Sequence, residues 1–332
     1  MKKIKVAQIG TSEYSHGKSI WRRLIENDDL FEVVGYAFPE NEREKFPDHV
    51  ARFDGYREMT VEEILSDPEI EAVAVETEEV YLTKYALMVA EAGKHLHMEK
   101  PGGTELADFE KLIATLKEKK LVFSTGYMYR FNPTVRAALE KVRRGELGEI
   151  YSVEAHMNCK HGVPLREWLN NFPGGMLFFL GCHLIDLIYS IQGEPMEVIP
   201  MSCSTGLDGV DTDDLGMVVF KYRNGVSFAK TCASEMGGFM RRQLVICGEK
   251  GTIEIKPLEV IVAQDDQYTL SSESYSAEWQ KLWDNERSEI YDRYDDMMRN
   301  FAEMIRGKEN PYSYDYELGL YRLILKACGG GI

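Results

Sequence analysis

The sequence has no C-x-x-C pair. Its six cysteines, Cys159, Cys182, Cys203, Cys232, Cys247 and Cys328, are scattered. Thiols spread in this way argue against a zinc knot or a disulfide framework and for reduced cysteines in a cytoplasm. Basic residues are in short supply, 39 against 55 acidic, which leaves a formal net charge of -16. Nucleic acid and anionic membrane would both be repelled, so neither is expected as a partner. Long apolar runs are missing as well: the longest near the middle, residues 176–180, is far too short to span a bilayer. No cleavable signal is expected at the start, and no internal repeat or low-complexity tract is evident. What is present is 332 residues with 44% hydrophobic content, enough to bury two cores.

Apolar runs at 4–9, 31–38, 71–75, 95–98 and 121–125 read as strands. Helical periodicity lies between them at 18–26, 80–92 and 105–119, with Ile20, Trp21, Leu24 and Ile25 on one face of the first. Strands alternating with helices of about ten residues imply a doubly wound parallel sheet with right-handed crossovers. The most informative stretch is Gly93-Lys94-His95-Leu96-His97-Met98-Glu99-Lys100-Pro101. Gly93 suits a left-handed helix cap, a short buried strand follows, and Pro101 restricts the geometry of Lys100. Lys100 thereby falls at the carboxyl end of a strand, where open α/β sheets bind ligands.

A dinucleotide loop would read G-x-G-x-x-G, its glycines allowing the backbone to approach a pyrophosphate. Here it reads Gly10-Thr11-Ser12-Glu13-Tyr14-Ser15, with only the first glycine kept. A serine hydroxyl can donate to a phosphate oxygen, although its Cβ fills space that glycine leaves open. The acid expected at the end of the second strand is replaced by Phe38, which can stack on an adenine edge but accepts no hydrogen bond. Glu40 and Arg43 are alternative routes to the ribose, and the sequence does not choose between them.

Further motifs follow in order: Glu71-Ala72-Val73-Ala74-Val75-Glu76-Thr77, then Glu99-Lys100-Pro101, then Gly126-Tyr127-Met128-Tyr129-Arg130-Phe131-Asn132-Pro133. After these come Gly145-Glu146-Leu147-Gly148-Glu149-Ile150, Gly174-Gly175 and Gly181-Cys182-His183-Leu184-Ile185-Asp186. With these motifs the chain resembles the glucose-fructose oxidoreductase / inositol dehydrogenase (Gfo/Idh/MocA) family over nearly its whole length. The resemblance implies an N-terminal Rossmann domain, residues 1–125, and a C-terminal α/β domain with a large, mostly antiparallel sheet, residues 126–332. The C-terminal helix is able to pack back on the first domain.

The resemblance also implies NAD or NADP as cofactor, held by Gly10, Thr11, Ser12, Ser15, Phe38, Thr77, Glu99 and Lys100. Lys100 resembles the family lysine beside the reacting hydroxyl, and Glu99 the neighbour that contacts the nicotinamide ribose. His183 matches the histidine that contacts the substrate hydroxyl, with Asp186 one turn on to fix its tautomer. Tyr127, Tyr129, Arg130 and His156 are candidate substrate contacts together with Asp186, and His161, Arg166 and Trp168 lie on a loop able to cover a site. Cys182, His183 and Asp186 lack a third and fourth partner for a metal, so none is expected.

The departures from the family pattern are specific. Phe179 stands where relatives often carry an aspartate, and the Thr-Pro-Asn loop becomes Thr77-Glu78-Glu79, two carboxylates that would repel a pyrophosphate unless they point away.

From residue 150 the pattern alternates, predicting strands at 150–157, 198–204, 215–222, 226–232, 241–247, 252–255 and 260–262. Arg223-Asn224-Gly225 and Gly248-Glu249-Lys250-Gly251 read as hairpin turns. Helices are expected at 177–191, 289–306 and 316–327, with Tyr291, Tyr294, Met297, Met298, Phe301, Met304 and Ile305 as a packing stripe. In the resembling family one face of the large sheet is an oligomer interface, which implies a homodimer or homotetramer. The leading functional expectation is hydride transfer to or from a sugar, cyclitol or related polyol. Two alternatives stay open: a catalytically silent relative that binds a sugar or nucleotide as sensor or subunit, and a tightly held cofactor used for transient oxidation.

Overall fold

The computed structural model describes residues 2–261, 267–276 and 282–330, with side chains for all of these outside 260–290. Contacts group the chain into two compact units, Met1–Tyr127 with Tyr294–Tyr321, and Met128–Arg293 with Arg322–Ile332.

The first unit is built on β1 (Ile4–Ile9), β2 (Phe31–Ala37), β3 (Ala72–Val75), β4 (His95–Met98) and β5 (Phe123–Thr125). All neighbours are parallel, in the order β2-β1-β3-β4-β5. The order reverses between β1 and β3, so the turns after these two strands flank the crevice where such sheets take ligands. Every residue of β3 is buried, as expected of a central parallel strand covered on both faces.

The helices are α1 (Gly17–Glu26), the short α2 (Glu42–Lys45) and α3 (Pro47–Val50), α4 (Val61–Ser66), α5 (Leu82–Glu91) and α6 (Leu106–Lys119). On α6, Phe109, Leu112, Ile113 and Leu116 recur at helical spacing and are all buried. Thr60 and Glu63 close a reciprocal cap on α4, worth about 1 kcal/mol. Gly93 follows α5 at φ 77, the left-handed geometry expected of it.

The second unit holds α7 (Pro133–Arg143), β6 (Ile150–Asn158), α8 (Val163–Trp168), α9 (Cys182–Gln192), β7 (Glu197–Cys203), β8 (Leu215–Tyr222), β9 (Gly225–Cys232), β10 (Gln243–Gly248), β11 (Gly251–Ile255), β12 (Val260–Ile261), β13 (Gln267–Ser276) and β14 (Leu282–Asp292). Among the described residues nine strands form one sheet, antiparallel throughout except where β6 and β9 run parallel. Both expected hairpins are present, β8 to β9 and β10 to β11. On β9 Ser227, Ala229 and Thr231 are buried, while Val226, Phe228 and Lys230 on the other face are not. α9 packs on β6 and β9.

Two helices close the chain, α10 (Asp295–Ile305) and α11 (Tyr314–Ala327). Residues 289–292, expected to open a helix, belong instead to β14, where Tyr291 pairs with Tyr268 across the ladder. α10 begins at Asp295, with Asp295 and Asp296 in the first turn, where carboxylates suit the helix dipole. Tyr294, Met297, Met298, Phe301 and Met304 are buried as the packing stripe requires. Of the expected strand at 260–262, residue 262 lies outside the described residues. No helix among the described residues is long and apolar enough to cross a membrane.

Candidate active site

In the first unit, β1 runs into Gly10 at φ 90, and a Cβ there would sit 2.5 Å from the amide nitrogen of Thr77. Only glycine lets the turns after β1 and β3 approach this closely. The loop amides are mostly used at home. Thr11 N donates to Glu42 Oε2 at 2.9 Å, Ser12 N to Glu76 O at 3.1 Å and Ser15 N to Ser12 Oγ at 3.0 Å. Ser15 Oγ donates to Glu76 O at 3.2 Å and accepts from Gly17 N at 3.1 Å. The serine hydroxyls expected to meet phosphate thus close the loop instead.

Gly17 is a glycine that reading the fingerprint missed. Its Cβ would lie 3.0 Å from Glu76 Cβ, and Gln8 Nε2 donates to both Gly10 O and Gly17 O at 3.0 Å. It opens α1, whose first turn carries no acid, and an N-terminus of that kind suits a phosphate. Gly10 and Gly17 thus let the loop after β1 pack closely on Thr77 and Glu76, beside the start of α1.

Phe38 packs edge-on against Phe53 at 4.9 Å, beside Tyr36 at 4.7 Å, with the Arg43 guanidinium over its ring. Glu40 accepts from Lys84 Nζ at 2.6 Å and from Tyr85 Oη at 2.7 Å, which holds its carboxyl below the ordinary range. Arg43 grips Glu58 with two nitrogens. A cleft of about 620 Å³ opens beside them, walled by residues 37–41, 58–62 and by Lys84, Tyr85 and Met88.

β4 delivers Glu99 and Lys100, both buried, with Lys100 Nζ 3.6 Å from Glu99 Oε1. The Lys100–Pro101 bond is cis. Two more buried carboxyls share this environment, Glu76 and Glu79. Glu76 Oε1 lies 3.5 Å from His97 Nε2. Burial drives the His97 imidazole down to about 3, so it is neutral. Burial raises Glu76 well above the ordinary carboxyl range, helped by Glu99 and Glu79 and opposed by Lys100. Burial also lifts Glu79 to about 8, against the pull of Lys100.

The pair feared to repel a pyrophosphate therefore presents little charge: Glu78 is tied to Lys45 Nζ at 2.8 Å, and Glu79 is protonated at neutral pH. Glu42, Glu76 and His97 were not singled out from the sequence. An acid closing an all-apolar buried strand, as Glu76 does, was the available signal.

In the second unit, the expected helix 177–191 is two pieces, a π-helical turn Leu177–Gly181 followed by α9. Such turns widen the helix and often accompany functional residues. His183 and Asp186 are buried just beyond it. Arg130 clamps Asp186 with two bonds, Nε to Oδ2 at 3.0 Å and Nη2 to Oδ1 at 2.8 Å. Tyr129 meets the His183 ring edge-on at 5.7 Å, and its hydroxyl donates to Glu259 Oε1 at 3.2 Å. The structure therefore gathers Tyr129, Arg130, His183 and Asp186; Tyr127 lies in the first unit, buried.

His156 does not join them. Strand alternation turns it away from the α9 side, beside Phe228 at 5.4 Å, and its partial burial and Lys230 hold its pKa down at about 4. Arg166 is also not a rim residue: it is buried in α8, bonded to Ser234 Oγ at 2.9 Å and Asp214 Oδ2 at 3.3 Å. Phe179 is buried, edge-on to Trp168 at 5.2 Å. Among the described residues no group of three or more His, Cys, Asp or Glu side chains is placed to hold a metal.

A parallel sheet with its crevice at the β1/β3 reversal makes the first unit Rossmann-like, and a broad mixed sheet makes up the second. Residues 4–127 match the family described as "Oxidoreductase family, NAD-binding Rossmann fold", and residues 135–254 match the "GFO/IDH/MocA C-terminal domain". The chain belongs to the Gfo/Idh/MocA family of oxidoreductases, and its cofactor is NAD or NADP.

Among its relatives, the uncharacterized oxidoreductase YhhX of Escherichia coli (strain K12) is 34% identical over 42% of this chain and 40% of its own length. Trans-1,2-dihydrobenzene-1,2-diol dehydrogenase of Bos taurus is 26% identical over 60% of this chain and 61% of its own. Myo-inositol 2-dehydrogenase of Thermotoga maritima is 26% identical over 58% of each. These matches thus span less than two thirds of the relatives' lengths. Two solved structures share the fold: aldose-aldose oxidoreductase from Caulobacter crescentus, at TM-score 0.79 and 20% identity over 99% of this chain and 98% of that one, and levoglucosan dehydrogenase in complex with NADH and levoglucosan, at TM-score 0.78 and 19% identity over 99% and 98%.

Proposed function

We propose that the protein transfers hydride between NAD or NADP and a CH–OH group of a sugar, cyclitol or related polyol. The observation that carries this reading is Lys100, an ammonium buried at the carboxyl end of β4 with Glu99 at 3.6 Å. The relatives whose names specify inositol, a diol or levoglucosan support the substrate class. The nicotinamide, when bound, accepts or gives the hydride.

The chain's own part is proton handling and orientation. An alcohol yields hydride only as its proton leaves, so a base beside the hydroxyl is required, and Lys100 is that acid/base. Glu99, fixed next to it, is the candidate contact for the nicotinamide ribose. In the second unit, His183 directs its imidazole to a substrate hydroxyl, with Tyr129 against its edge and the Arg130–Asp186 clamp holding that part of the unit in register. The outward face of the large sheet, where Ile199 and Met201 are exposed beside the half-buried Met217 and Val219, is the face through which copies assemble. Light scattering after size exclusion checks that, and a strict monomer overturns it.

The decisive test pairs turnover with binding. Lys100→Ala is expected to lower turnover of the best polyol by about 10²–10⁴-fold, while the dissociation constant of the dinucleotide stays within about twofold. Unchanged turnover removes Lys100 from the chemistry. Failure of both NAD and NADP to raise the melting temperature at saturating concentration would favour a catalytically silent relative.

A further inference from the structure

Lys100 is followed by Pro101-Gly102-Gly103, and the place of its ammonium depends on where that turn holds the backbone. Glycine has more conformational freedom to lose than any other residue, so a turn with two in a row has little order of its own. It is tied instead to two helices. Gly103 N donates to Thr83 Oγ1 of α5 at 2.8 Å, and Gly103 O accepts from Tyr321 Oη of α11 at 2.5 Å. Both backbone polar groups of one residue are thus met by buried side chains, Thr83 from 20 residues before it and Tyr321 from 218 residues after it.

The ring of Tyr321 completes the seat. It stacks on Phe109 of α6, with centroids 4.0 Å apart and planes 16° from parallel. Gly102, at φ 120, lies against both rings: a Cβ there would sit 3.1 Å from Phe109 Cδ2 and 3.3 Å from Tyr321 Cε2. One turn earlier on α11, Glu317 Oε1 accepts from Thr125 Oγ1 at 3.2 Å, at the end of β5. The next residue, Gly126, approaches Glu99 and Lys100 closely, since a Cβ on it would be 2.8 Å from Glu99 Oε2 and 3.3 Å from Lys100 N. One helix therefore steadies both the turn that follows Lys100 and the strand end beside Glu99. All these residues belong to the first unit. Burial raises the Tyr321 hydroxyl above its ordinary value, with Glu105 and Asp108 adding to the effect, so it stays a donor at working pH.

We propose that Tyr321, together with Thr83, positions Lys100 for proton transfer by clamping Gly103, which makes the last helix of the chain a working part of the site after β4. The inference rests on the reading of Lys100 as the acid/base of a hydride transfer. Both side chains act through the turn rather than on the reacting atoms. A reacting group displaced by about 1 Å can lose about 10²-fold in rate, and releasing either polar group of Gly103 frees the glycines to move it.

The test measures the full chain with myo-inositol, glucose and levoglucosan against NAD and NADP, using the fastest pair throughout. Tyr321→Phe keeps the stacked ring and loses only the hydroxyl. It is expected to lower kcat about 5–50-fold, with KM and the dissociation constant of the dinucleotide within about twofold of wild type. Thr83→Val should lower kcat in the same way, and Thr83→Ser, which restores the acceptor, should recover most of the loss. In a Lys100→Ala background, Tyr321→Phe should remove no further activity, because a residue that works through the lysine has nothing left to position. A merely structural hydroxyl would instead lower the melting temperature and leave kcat of the folded enzyme alone. Where Tyr321→Phe fails to fold, by circular dichroism, the two Thr83 variants decide alone. A kcat within about twofold of wild type in the folded variants, or an equal loss with and without the lysine, overturns the positioning role and leaves the oxidoreductase reading intact. If Lys100→Ala does not slow the reaction, or none of these polyols is turned over with either nucleotide, that reading falls and the inference with it.

Discussion

Both units bury carboxyl groups, and they treat them in opposite ways. In the second unit each buried carboxyl among the described residues has an arginine. Glu259 lies between Arg242 Nη1 at 2.9 Å and Arg293 Nε at 2.9 Å, Asp214 meets Arg166 at 3.3 Å, and Asp186 is clamped by Arg130 at 2.8 Å. Burial alone would raise Glu259, but Arg293 and Arg242 outweigh it and hold it below the ordinary range. In the first unit, Glu76, Glu79 and Glu99 are all raised by burial, and the cation acting on all three is Lys100. Compensated charges specify a fold; carboxyls raised by burial around a buried lysine are typical of a site where protons move.

Three experiments sharpen or break this contrast. The largest effect is expected from Glu259→Leu, which strips the shared partner from Arg242, Arg293 and the Tyr129 and Tyr291 hydroxyls. Orphaning buried charge of this kind costs about 3–5 kcal/mol, measured by urea unfolding; a loss below about 1 kcal/mol would mean that the cluster is not a stabilising pair.

An effect of opposite character, spread over several pH units, belongs to Glu79. Its proton stays on up to about pH 8 in the folded protein and leaves near 4.5 once unfolded. The folded state thus binds more protons between those values, and stability falls as pH rises across that window, by at most about 1.4 kcal/mol per pH unit. Glu79→Gln should match wild type near pH 4.5 and exceed it at pH 8, and unfolding curves that run parallel across the window would contradict the raised pKa. Glu259 has the reverse sign, its stabilisation present above the ordinary carboxyl value and lost as pH falls below it. The smallest effect is reserved for an exposed pair: Lys221→Ala, which removes the contact with Glu197 at 3.4 Å, should leave stability within about 0.5 kcal/mol of wild type.

Much of the first unit was legible in the chain because its signals are local. Strand β4 and the left-handed Gly93 follow from a short apolar run and one glycine, and both stand where expected. The hairpin at Arg223-Asn224 is legible for the same reason. The strand at 282–292 was not, because the residues 289–292 that pair with β13 carry aromatic and acidic side chains that also suit a helix start. His156 shows another limit: alternation puts it on one of two faces, and only the packing of α9 on β6 says which face adjoins His183.

The sequence by itself determined the doubly wound sheet, the broad hairpin sheet, the family and Lys100 at a strand end. Periodicity, turn residues and motif order are properties of neighbours in the chain. Only the tertiary structure decided that Glu42 meets the Thr11 amide, that Glu76 and Glu79 share the surroundings of Lys100, and that Asp186 belongs to Arg130. Burial and pairing depend on residues brought together from distant positions, and burial is what sets the charge of each carboxyl.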